Sequence, residues 1–367
     1  MSADPAELLS RPAAEATRLI ALGYLDDASA AATRLDDPED EEALHDFRVA
    51  LRRLRSTLRA YRPQLRESAR RSSRDRLGRI AVATNRSRDT DVALAWLGPL
   101  ASDLTARERV GLRELIERLE RRREDVYGKT VARVRRSFAK AAKRLRKRLG
   151  EYRQTVQPAA DDGAPARFAT VAAAAITEHA ADLGRRLEEV RSPDQFDEVH
   201  AARIAAKRLR YLLEPLGAQV PDDATLVRKL RELQDLLGGL CDTQVLAMEV
   251  ETAVTAAGAI RAKRLFDLEL AEVDVSERRK TARANNERPG LLAVARRLRA
   301  RRAALFTRLQ TPWLRPAGAQ FLRDVESAAR VIALSPPATT PEAPVPAPAG
   351  SKRVPSSRWR RAASEPR

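Results

Sequence analysis

Apolar residues recur every three to four positions along most of this chain, and the strict alternation of a half-buried strand is nearly absent. Between Leu44 and Tyr61, residues Leu44, Phe47, Leu51, Leu54, Leu58 and Tyr61 project onto one sector of a helical wheel. Glycine is scarce, and alanine, leucine, arginine and glutamate, all good helix formers apart from their charge, dominate. The pattern predicts an all-α protein. Turn-forming residues predict interruptions at Asp36–Glu39, Arg62-Pro63, Gly98-Pro99, Gln157–Pro165, Arg191–Asp194, Gly217–Asp223 and Arg288–Gly290.

The resulting division is a first helical half over 1–156, a linker over 157–165 and a second half over 166–334. From Ser335 the composition turns to Pro, Ala and Thr and ends in Lys352, Arg353, Arg358, Trp359, Arg360 and Arg361. Such a segment cannot build a core, so 335–367 is expected to be a disordered, basic tail.

The two halves share a segment. His45-Asp46-Phe47-Arg48-Val49-Ala50-Leu51-Arg52-Arg53-Leu54-Arg55 aligns without a gap to His200-Ala201-Ala202-Arg203-Ile204-Ala205-Ala206-Lys207-Arg208-Leu209-Arg210, 155 residues further on. Weaker echoes pair Leu77 with Leu230, Ile80 with Leu233, and Asp89-Thr90 with Asp242-Thr243. An internal duplication follows, with related halves packed about a pseudo-twofold axis.

On a helix with His45 at zero, Arg48, Arg52, Arg55 and Arg59 fall near about 300°, 340°, 280° and 320°. The apolar set lies between about 160° and 260°, so a row of cations runs beside the buried stripe. His200, Arg203, Lys207 and Arg210 repeat the row, and Glu214 stands where Arg59 would recur, one turn from Arg210. Arg53 and Arg208 project away from the row and call for a separate contact, such as an ion pair. Like charges stacked at this spacing weaken an isolated helix, so neighbouring carboxylates or an anionic ligand must compensate. Arginine forks suit phosphate oxygens. Lys140, Lys143 and Lys147, with Arg136, form another basic face within about 60°. Arg297, Arg301 and Arg308 make a sparser one.

His45 and His200 open their rows, where a ring nitrogen either donates to a ligand or caps and packs the helix; both readings stand. Neither has a partner at metal-ligand spacing. His179, in an alanine-rich helix, is expected to pack or face water.

Charge enlarges the picture. Lys and Arg total 69 against 51 Asp and Glu, a formal net charge of +18 that points to a polyanion: nucleic acid, an anionic membrane surface or a phosphate polymer. Aromatic residues are only 4%, too few for a base-stacking platform. Cys241 is the sole cysteine, which excludes an intramolecular disulfide and a thiolate zinc cluster. With no signal-like start and no long apolar run, a cytoplasmic protein without membrane insertion is expected. No P-loop or nucleophile-elbow motif occurs, and no cofactor or metal is expected.

The twin H-x-x-R-[VI]-A-x-[RK]-R-L-R segments and Arg88-Asp89-Thr90-Asp91-Val92 resemble the CHAD family, the conserved histidine α-helical domain, over about Pro5 to Arg330. In the second half the matching Leu240-Cys241-Asp242-Thr243-Gln244 departs from the family's R-D-x-D-V pattern. The resemblance implies two antiparallel four-helix bundles with pseudo-twofold symmetry around a basic cavity. It also implies binding of inorganic polyphosphate, as in polyphosphate granules. Carried over, the ligand-facing residues are His45, Arg48, Arg52, Arg53 and Arg55, with His200, Arg203, Lys207, Arg208 and Arg210. Arg59, Lys140, Lys143 and Lys147 join them from helical projection alone. A fused CYTH domain is not expected, because Glu249-Val250-Glu251 is followed by Ala253 where that signature requires lysine.

Two other functions compete with a non-enzymatic polyphosphate binder. One is nonspecific nucleic-acid or nucleoid binding, which the net charge favours. The other is a phosphate-hydrolysing or phosphotransfer enzyme using Asp89, Asp91 and Asp242 on a metal. Helix caps or ion pairs with Arg88 account better for those aspartates.

Overall fold

The computed structural model describes residues 5–37, 40–151, 165–220, 222–271, 276, 286–314 and 316–336. The expected linker, apart from Pro165, and the tail from residue 337 lie outside the described residues. The helices are α1 (Pro5–Ser10), α2 (Ala13–Arg34), α3 (Glu41–Ala60), α4 (Arg71–Leu97) and α5 (Ala106–Gly150), then α6 (Phe168–Glu189), α7 (Phe196–Leu213), α8 (Asp223–Leu270), α9 (Arg288–Trp313) and α10 (Pro316–Ala333). Short 3-10 turns occupy Gly98–Asp103 and Gly217–Gln219. The fold is all-α, with no β-strand among the described residues.

Most helix boundaries follow the turn residues, and local chemistry sets them. The Asp40 side chain caps α3 by accepting from the Ala43 amide at 3.0 Å. Thr105 and Glu108 form a reciprocal capping box at the start of α5. Several boundaries differ from expectation, among them the ends of α1 at Ser10 and of α8 at Leu270, where no break was anticipated. Arg288–Gly290 form the first turn of α9 rather than a break, because Pro289 needs no amide partner there and its fixed φ suits a helix start. The break at Leu314 between α9 and α10 was not anticipated; Pro312 sits inside α9, one residue before its end.

α2 packs on α3, α4 on α5, α6 on α7 and α10, and α8 on α7 and α9. The counterparts α2 and α6, α3 and α7, and α4 and α8 also touch one another. Beside them an isolated antiparallel bridge joins Pro12 to Arg167, residues with the same 155-residue separation as His45 and His200. Its hydrogen bonds are reciprocal: the Ala13 amide donates to the Ala166 carbonyl and the Phe168 amide to the Arg11 carbonyl, each at 2.9 Å.

One large core runs from Leu8 to Ile332 and includes Phe47, Leu51, Leu54, Phe138, Leu209 and Leu230. A smaller one joins Leu97 of α4, Leu112 and Leu115 of α5, Val250 of α8 and Val294 of α9. Both therefore draw on residues from either side of 157–165. In the smaller core α5 and α9 meet backbone to backbone. A Cβ on Gly111 would stand 2.1 Å from the Glu287 carbonyl oxygen, and one on Gly290 would stand 2.0 Å from that of Glu108. Only glycine allows this approach.

The positions paired by the weaker sequence echoes are alike in burial. Leu77 and Leu230, Ile80 and Leu233, and Thr90 and Thr243 are all buried.

Candidate functional site

α3 buries Leu44, Phe47, Leu51, Leu54, Leu58 and Tyr61, with Phe47 edge-on to Phe138 of α5 at 4.9 Å between ring centres. That packing fixes the helix about its axis, so Arg48, Arg52 and Arg55 emerge half-buried at the margin of the core, while His45 and Arg59 are exposed. α7 buries Val199, Ala202, Ala205, Ala206, Leu209 and Leu212 against its neighbours, leaving Arg203, Lys207, Arg208 and Arg210 half-buried and His200 exposed. Gln234 of α8 locks α7 further by donating to the Ala206 carbonyl at 3.1 Å.

The two rows converge. Burial pushes the Lys207 ammonium down to about 7, and the positive charges of Arg203, Arg52 and Arg88 add to that effect. Burial likewise lowers the Arg48 guanidinium to about 10, with Arg52 and Arg88 adding repulsion and Asp89 and Asp91 opposing it. Arg88 belongs to α4, so three helices bring Arg48, Arg52, Arg88, Arg203 and Lys207 to one locus. Among the described residues, Arg48, Arg52, Arg203 and Lys207 have no carboxylate within ion-pair distance. The buried Arg203 Nε has no hydrogen-bond partner. The His200 imidazole, though exposed overall, is depressed by partial desolvation and then by Arg203 and Lys207, which outweigh Asp197.

The carboxylates nearby serve Arg88 and Arg123. Arg88 lies 3.7 Å from Asp242 and 4.0 Å from Asp89, and Asp91 pairs with Arg123 at 3.0 Å. Burial raises the Asp89 carboxyl, Asp242 raises it further, and Arg88 acts against both. No group of three or more potential metal ligands occurs among the described residues.

The remaining candidates divide by partner. Arg53 Nε donates to Glu214 Oε2 at 3.0 Å; burial works against its charge, yet Glu214 raises the guanidinium above its usual range. Arg210 pairs with Glu214 at 3.5 Å, the contact expected one turn along α7, and lies over the Tyr211 ring. Arg208 is lowered by burial and then by Arg59. Lys140 borders a cleft between α4 and α5, Lys143 is exposed, and Lys147 lies 3.5 Å from Glu151. In the sparser α9 stripe Arg297 pairs with Asp103 at 2.7 Å and Arg301 stacks on Trp96. His179 is half-buried and its Nδ1 donates to the Ala175 carbonyl at 2.9 Å.

Sequence reasoning missed Arg88 as part of the cluster, although it opens the quoted Arg88–Val92 segment. Nor did it single out Arg74 and Arg79 of α4, which line a cleft with Arg55 and Arg59.

The CHAD domain family model matches residues 20–251, well over half of the chain and both basic helices. The chain belongs to the CHAD family. Its fold agrees with the crystal structure of the CHAD domain from the plant Ricinus communis, with a TM-score of 0.51 at 20% identity. That likeness covers 89% of this chain and 94% of the plant one, so the CHAD fold extends beyond the family match to nearly all of the described helices. No curated protein matches the chain. In this CHAD domain no helix among the described residues is long and apolar enough to cross a membrane.

Proposed function

We propose that this CHAD domain binds inorganic polyphosphate through the cluster where α3, α4 and α7 meet, and that it associates with polyphosphate granules. The observation that carries this is the convergence of Arg48, Arg52, Arg203 and Lys207 without carboxylate partners among the described residues. Partly desolvated cations held this close repel one another, and an anion entering between them relieves that repulsion. A phosphate polymer supplies regularly spaced oxygens for charge-assisted hydrogen bonds and offers no base to read. Arg53 and Arg210 contribute less, since Glu214 already engages them. The exposed His45 and His200 stand at the entrance to their rows.

The same proposal takes 1–156 and 166–334 as duplicated bundles related by a pseudo-twofold axis. The reciprocal hydrogen bonds between the starts of α2 and α6 support it, because a twofold axis makes each bond the image of the other. We read the domain as a binder rather than an enzyme.

The test compares affinity for long polyphosphate, duplex DNA and single-stranded RNA at matched phosphate concentration and ~150 mM salt, where weak nonspecific binding is screened. Polyphosphate is expected to bind most tightly, and equal affinities would defeat the proposal. Phosphate release from polyphosphate, with and without magnesium, checks the absence of turnover.

A further inference from the structure

The repeat-related ends of α3 and α7 differ by a reversal of charge, Arg59 in one and Glu214 in the other. At the α7 end the Glu214 side chain is 9% exposed and lies 3.0 Å from Arg53, 3.5 Å from Arg210 and 3.8 Å from Arg231. Three cations there share one carboxylate, which engages their donor groups and lowers the charge they offer to a phosphate.

The α3 end is built differently. Arg55, Arg59 and Arg62 face Arg74 and Arg79 of α4 across a cleft of about 610 Å³. Asp75 is the lone carboxylate in its lining, and it lies 3.7 Å from Arg71. Arg55, Arg59, Arg62 and Arg79 have no ion pair among the described residues. Burial and the charge of Arg59 depress Arg55. Arg79 also borders a second cleft of about 350 Å³, where Arg76 of α4 meets Arg133 and Lys140 of α5. The adjoining clefts make a cationic track leading away from the central cluster, and Lys140 is its one member that the α5 projection singled out.

We infer that a bound polyphosphate strand leaves the central cluster on one side only, over Arg74 and Arg79 of α4 to Arg133 and Lys140 of α5, while Glu214 closes the opposite end. This rests on the proposed function and adds a direction and a length requirement. A strand of a few phosphates fills the central cluster, and only a long strand reaches α5. Each further contact releases counterions, so affinity rises with chain length until the track is filled.

The experiment measures binding of tripolyphosphate and of chains of ~100 phosphates to the full-length protein over a range of salt, since phosphate contacts are read from the salt slope. Arg79→Gln with Arg133→Gln should weaken long-chain binding about tenfold and flatten its salt slope by about two, with a several-fold smaller loss on tripolyphosphate. Arg228→Gln with Arg231→Gln, on the Glu214 side, should change long-chain affinity less than about twofold. Equal losses on both ligands, or equal effects of the two double variants, would overturn the one-sided track. If Arg48→Gln with Arg52→Gln weakens binding while Arg79→Gln with Arg133→Gln does not, the central site stands and this inference falls. If neither pair matters, the functional proposal itself fails.

Discussion

Arg53 Nε lies 3.0 Å from Glu214 Oε2, tying the middle of α3 to the end of α7 across 161 residues of sequence. Glu214 stands where the first half has Arg59, so this contact replaces a charge of the basic row with one that neutralises its neighbours. Glu214→Gln should lower stability by about 1–3 kcal/mol, less than for a fully buried pair because Arg53 and Arg231 remain partly solvated. A shift of the urea midpoint checks this. The double variant Arg53→Gln, Glu214→Gln should recover part of the loss.

Lys207 carries the pH dependence. Its folded value is pushed down to about 7 against 10.5 in an unfolded chain, so between those limits the unfolded state binds more protons. Stability of the free protein should therefore rise with pH across that window, with the full cost of burying the charge felt below about pH 7. An anion restores the proton. Polyphosphate binding at pH 8 should take up protons and weaken as pH rises. Calorimetry in buffers of different ionisation enthalpy measures the uptake, and Lys207→Met should abolish most of it.

The central arginines should set both affinity and its salt dependence. Replacing Arg48 and Arg52 with glutamine should flatten the plot of log affinity against log salt by about two. The measurement is a salt titration with long polyphosphate. An unchanged slope would place the phosphate contacts elsewhere.

Gly111 and Gly290 decide how closely α5 and α9 approach. Gly111→Ala sets a methyl group against the Glu287 backbone, which cannot swing aside, and should cost about 1–3 kcal/mol. Gly23, in α2, has open space at the same atom, so Gly23→Ala should stabilise the protein by about 0.5–1 kcal/mol. Thermal denaturation of the two variants should show shifts of opposite sign.

Much of this site was legible before the fold was known. The duplicated segment identified α3 and α7, and the helical wheel placed Arg48, Arg52 and Arg55 beside the Leu51–Leu54–Leu58 stripe, where they emerge. Arg53, set apart by the same projection, proved to have an ion pair. Arg88 escaped notice because it sits on another helix, and its approach to Lys207 depends on how α4 packs against α3 and α8. Pro289 misled because proline looks the same at the first turn of a helix as in the loop before one.

The sequence by itself determined the helical class, the duplicated basic rows and the direction each side chain takes around its own axis, because helical periodicity is a local property of neighbouring residues. Tertiary structure decided which cations keep a carboxylate and which meet only one another. That choice depends on where helices remote in sequence cross, and the crossings are fixed by packing at places such as Gly111, Gly290 and the α3–α7 contact, which no local spacing encodes.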